Sequence, residues 1–199
     1  VALIGVTGND IGMQARCREW FATTIDGDAR VDPELLSAAT RVVATTGDVE
    51  MFETMRARFL HATTPQDQLR HLYALADFDD ESLLLEACRF AMSGDVKTQN
   101  APFLLRAALA NRRHGAAAWL FLRDHWDDAV DRFPSNTIVR MIDSLSLLDS
   151  DELVDDTSKF FAAHPIEQAT KTLEQILERQ RVNARLHTRE ENWDVGASS

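Results

Sequence analysis

The sequence predicts an all-α fold, a right-handed α-solenoid of about ten helices stacked as hairpins, and three observations carry that expectation. All five prolines stand at nearly even intervals, Pro33, Pro65, Pro102, Pro134 and Pro165, separated by 32, 37, 32 and 31 residues. Apolar residues recur at helical spacing in almost every segment, and no stretch alternates as a half-buried strand does. Capping residues stand beside the prolines in Asp32-Pro33, Thr64-Pro65 and Pro134-Ser135. Proline is tolerated in a first helical turn because the N–H it lacks would be unpaired there anyway, so each proline is expected to open a helical unit. Thirty-odd residues hold two helices and two turns, the repeat of an α-solenoid.

Each element has its own signal. An opening helix spans Asp10 to Thr24. Leu35, Leu36, Ala39, Val42 and Val43 form a stripe ended by Gly47; Val49, Phe52, Met55, Phe59 and Leu60 form the next, begun by Asp48 as a cap, and the two helices are expected to make one hairpin. Leu69, Leu72, Leu75 and Ala76 pair with Leu83, Leu84, Ala87, Cys88 and Ala91 across the turn at Asp77-Phe78-Asp79-Asp80. A third pair joins Phe103, Leu104, Ala107 and Ala108 to a helix carrying Ala118, Trp119, Leu122, Trp126 and Val130. A fourth joins Ile138, Met141, Ile142 and Leu145 to Leu153, Val154, Phe160 and Phe161, and a long last helix carries Ile166, Ala169, Leu173, Ile176, Leu177 and Ala184. Each hairpin has more apolar surface than it can hide alone, so neighbours stack into a curved array with one concave face. The tetratricopeptide and ankyrin patterns are missing, which leaves an irregular HEAT/armadillo-like array. Residues 1–189 read as one helical-repeat domain and 190–199 as a flexible tail.

Composition narrows the functions. A chain of 199 residues buries roughly 70% of its unfolded surface and needs no metal or disulfide staple. Lys plus Arg number 21 against 32 Asp plus Glu, and the net charge of −11 repels phosphate backbones and anionic lipid, which argues against nucleic-acid or membrane partners. The longest apolar run, Ala116 to Leu122, is far short of the ~20 residues of a membrane span. Cys17 and Cys88 lie in apolar helical stretches and read as buried free thiols, so a soluble cytoplasmic protein is expected. The first residues, Val1-Ala2-Leu3-Ile4-Gly5-Val6, look like a helix cut through, and a larger polypeptide upstream is expected.

Catalytic motifs are missing from the chain. It holds no His-Glu-x-x-His, Gly-x-Ser-x-Gly, Gly-Lys-Ser/Thr loop or Cys-x-x-Cys, and Gly5, Gly8 and Gly12 lack the dinucleotide spacing. Asp124-His125-Trp126-Asp127-Asp128 with Asp131 is the densest candidate for a cation or a general base, but at helical spacing Asp124, Asp128 and Asp131 form the solvated stripe opposite Trp119, Leu122 and Trp126. Asp149, Asp151, Glu152, Asp155 and Asp156 lack a calcium loop's spacing and suit a helix N-terminus. Trp119 and Trp126, seven residues apart, read as core rings stacked two turns apart. Lys97, Arg106, Arg112, Arg113 and Arg140 read as surface ion-pair partners, or, where they face a concavity, as holders of a peptide carboxylate.

Val96-Lys97-Thr98-Gln99-Asn100, Asn111, the Trp119 and Trp126 pair, Phe160-Phe161-Ala162-Ala163-His164-Pro165, Thr172-Leu173-Glu174-Gln175 and Asn183-Ala184 occur in an order and spacing that cover nearly the whole chain. The sequence thereby resembles the C-terminal helical (HEAT-like) domain of M1-family zinc aminopeptidases, in the puromycin-sensitive and actinobacterial aminopeptidase N branch. The resemblance implies that a β-domain and a thermolysin-like catalytic domain precede these helices in a parent chain, and that zinc is held there by His-Glu-x-x-His and a further Glu. It implies no catalytic residue, metal ligand or cofactor in this fragment. The implied partners are the catalytic domain of the same polypeptide and peptide substrates, with Arg140 as a substrate-binding residue near the cleft. One departure is Asn100, where the family often has an acid, so that acid's capping or ion-pair role does not carry over. The expected function is that of a substrate-gating domain of a zinc metalloaminopeptidase, the fragment itself being no enzyme. A free-standing helical-repeat scaffold for protein partners is the alternative.

Overall fold

Every proline stands within two residues of the start of a helical segment in the computed structural model of the chain, which describes residues 1–23 and 31–197, the last eight of these by backbone alone. Pro33 and Pro65 are the first residues of α2 (Pro33–Thr45) and α4 (Pro65–Ala74), whose N-caps are Asp32 and Thr64. Pro102 is second in α6 (Ala101–Leu109), Pro134 caps α9 (Ser135–Met141), and Pro165 lies two residues before the 3₁₀ turn Glu167–Ala169. The remaining helices are α1 (Ile11–Thr23), α3 (Val49–His61), α5 (Glu81–Met92), α7 (Gly115–Asp124), α8 (Trp126–Arg132), α10 (Asp151–Ala163) and α11 (Thr170–Ala197). A π-helical turn, Leu3–Thr7, and a 3₁₀ segment, Ile142–Leu147, complete the set, and no strand occurs among the described residues. The fold is all-α, as the periodicity requires. Thr24, where the first helix was expected to close, and Ser198 and Ser199 of the expected tail lie outside the described residues.

Side-chain caps define the helix starts. Asp32 Oδ1 accepts from the Glu34 and Leu35 amides at 2.9 and 3.2 Å, Asp48 Oδ1 from Met51 at 3.1 Å, Thr64 Oγ1 from Asp67 at 3.2 Å and Ser150 Oγ from Leu153 at 3.3 Å. Each satisfies an amide that the first turn leaves open, a stabilisation of about 1 kcal/mol.

The chain divides into two compact units, Val1–Ala87 and Cys88–Ser199. In the first, α1 lies along α2 and α3 along α4. The sequence reading paired α2 with α3, whereas α2 packs chiefly on α1 and α3 on α4. Stripe periodicity says that a face must be covered; it does not say by which neighbour. The join between α2 and α3 is only Thr46-Gly47-Asp48, and a Cβ on Gly47 would sit 2.8 Å from the Val43 carbonyl oxygen and 3.0 Å from both Met51 and Phe78. Phe52, Met55, Phe59, Leu72, Leu75 and Phe78 are buried in this core, Phe52 and Phe78 meeting edge to face at 5.2 Å.

In the second unit α6 packs on α7, as expected for the third hairpin. It also packs on α9 and on the 142–147 segment, which in turn lies against α11, while α10 pairs with α11. The fourth expected hairpin is therefore opened, its halves meeting α6 and α11 instead of each other. The helix expected to run from Ala118 to Val130 is two helices broken at His125, whose backbone has φ −113° and ψ 22°. The His125 ring folds back at the break: its Nδ1 lies 2.8 Å from the Phe121 carbonyl oxygen, which also accepts the His125 amide at 3.1 Å, and it stacks on the Phe121 ring at 4.1 Å.

Candidate functional site

Arg140 is the residue that sequence reading singled out, and α9 positions it. Thr137, Ile138 and Met141 bury the inner face of that short helix, which leaves Arg140 exposed in its last turn. Three residues further along the chain, Asp143 accepts from Arg106 Nη2 of α6 at 2.8 Å and from Arg179 Nη2 of α11 at 2.7 Å. Two guanidinium groups thus share one carboxylate, a local excess of positive charge in a chain of net charge −11. The three side chains are 35 to 56% exposed, so each pair stabilises the unit by less than about 1 kcal/mol. Each arginine carries five N–H donors, and those not committed to Asp143 can receive a further carboxylate. Sequence reading found Arg106 but missed Asp143 and Arg179.

The aromatic wall of this unit is core. Trp119 is fully buried and Trp126 is 5% exposed, and both meet Phe160 and Phe161 at centroid distances of 5.3 to 5.8 Å. The expectation of core packing holds, although the two tryptophans sit on α7 and α8 and not on one helix. Trp119 Nε1 donates to Asp156 Oδ2 at 2.6 Å and Arg123 Nη1 to Asp156 Oδ1 at 2.8 Å, so this acid of the 149–156 cluster pairs a buried donor instead of serving the helix start.

The remaining candidates scatter. Asp124, Asp127, Asp128 and Asp131 are exposed, as a solvated face should be, and Lys97, Arg112 and Arg113 are exposed as well. Cys17 and Cys88 are buried and free, and burial pushes the Cys88 thiol up to about 12. Among the described residues no three His, Cys, Asp or Glu side chains converge so as to hold a metal ion. The zinc implied by the resemblance has no ligand set there. In the first unit His71 is 3% exposed, its Nδ1 2.9 Å from the Asp67 carbonyl oxygen and its ring edge-on to Phe21 at 6.0 Å. Burial, opposed by Asp67, lowers its affinity for a proton. Sequence reading passed over this histidine, whose only signal is its place beside Leu72 on the inner stripe of α4.

The sequence model of one protein family, described as the ERAP1-like C-terminal domain, matches residues 2–182. The chain belongs to that family. Among curated relatives, Aminopeptidase M1-A of Oryza sativa subsp. japonica is 28% identical over 135 residues, 67% of this chain and 15% of its own length. Aminopeptidase M1-C of the same plant is 30% identical over 122 residues, 60% of this chain and 14% of its own length. Aminopeptidase M1 of Arabidopsis thaliana is 24% identical over 187 residues, 91% of this chain and 21% of its own length. The chain therefore spans about a fifth or less of these relatives, and it corresponds to a C-terminal domain of the M1 aminopeptidases. Among the described residues of this ERAP1-like domain no helix is long and apolar enough to cross a membrane.

Proposed function

We propose that this domain gates and accommodates peptides for a zinc metalloaminopeptidase whose catalytic domain belongs to the same polypeptide, in the cytoplasm. The observation that carries the reading is the family match over residues 2–182 of an all-helical chain, joined to relatives that are named aminopeptidases and of whose length the match covers 14 to 15%. In such a parent enzyme the zinc and the general base for hydrolysis would belong to the catalytic domain, the metal supplying Lewis-acid polarisation of the scissile carbonyl. This chain supplies helical surface that bounds the space a peptide enters, with Arg140 of α9 meeting the peptide away from its N-terminus.

Two measurements test this. The isolated 199-residue chain is expected to bind no stoichiometric zinc and to hydrolyse no aminoacyl amide; chelator-sensitive turnover by it would overturn the proposal. In the parent enzyme Arg140→Ala should raise KM roughly tenfold for peptides of several residues, the equivalent of one lost charge-assisted hydrogen bond. Turnover of a single aminoacyl amide, too short to reach the helical domain, should not change. An equal effect on both substrates would remove Arg140 from the peptide path.

A further inference from the structure

We draw no further inference here: the strongest candidate, the outward aliphatic face of Leu3, Ile4, Val6 and Ile11 at the start of the first compact unit, carries nothing because nothing in the structure shows what covers it.

Discussion

The two compact units are stabilised by different chemistry. In Val1–Ala87 the polar groups that matter are ionisable and displaced: burial lowers His71 against the opposing Asp67, and burial raises Asp77 against its ion pair with Arg41 at 3.0 Å. In Cys88–Ser199 the fully buried polar contact, Thr157 with Gln180, is made by neutral groups, while charged Asp156 and Arg132 serve partly buried ones. Fully buried Gln180 accepts from Thr157 Oγ1 at 2.8 Å and donates to the Leu148 carbonyl at 3.0 Å, Asn183 donates to the Ser146 carbonyl at 2.6 Å, and Arg132 donates to the carbonyls of Met92 and Ser93 at the end of α5. A neutral amide keeps its hydrogen bonds at any ordinary pH, whereas a buried imidazole must be neutral to stay. The first unit should therefore sense acid, and the second should sense packing and loss of single hydrogen bonds.

The largest effect should come from the aromatic wall. Trp119→Ala removes a fully buried ring and the donor on Asp156, and it should lower the stability of the second unit by about 3–5 kcal/mol, read from the denaturant midpoint. Gln180→Ala, which strips partners from the Thr157 hydroxyl and the Leu148 carbonyl, should follow at about 2–3 kcal/mol, without any change between pH 5 and 7. In the first unit Gly47→Ala places a methyl group 2.8 Å from the Val43 carbonyl oxygen and should cost about 1–3 kcal/mol by the same measurement.

The pH comparison is sharper than the mutational one. His71 binds a proton less readily folded than unfolded, so the unfolded chain takes up more protons as pH falls below about 6.5 and the stability that neutral His71 contributes is lost there. Asp77 acts with the opposite sign: its folded carboxyl holds a proton at higher pH than the unfolded one, so it favours the folded state as pH falls through the range just above its ordinary value of 3.8. The first unit should accordingly lose stability between pH 7 and 5, and His71→Leu should flatten that slope in a Tm-versus-pH series. An unchanged slope would show that the proton uptake occurs elsewhere. The smallest effect belongs to Arg179→Ala, under about 1 kcal/mol and vanishing in high salt, because its ion pair with Asp143 is half exposed.

Local chemistry was the legible part of this chain. Proline at a helix start, Asp48 and Thr64 as caps, and the burial of Cys17, Cys88, Trp119 and Trp126 were all readable, since each depends on residues within a turn or on a side chain's dislike of water. The shared carboxylate of Asp143 was not readable, because Arg106 and Arg179 reach it from 37 and 36 residues away. Its neighbours in sequence give an acid at helical spacing and nothing more. His71 shows the same limit, for its neutral state follows from burial among elements distant in sequence, with Phe21 of α1 against its ring, while Asp67 beside it opposes that state.

By itself, then, the amino-acid order determined that the chain is helical, where most helices begin, and which residues are too apolar to face water. Tertiary structure alone decided that α1 covers α2 and α3 covers α4, that the expected 118–130 helix breaks at His125, and which arginines meet Asp143. The physical reason is range. Caps and periodicity act within a turn or two, while the choice of partner for an apolar face is a competition among all the faces on offer, settled only when the whole unit packs.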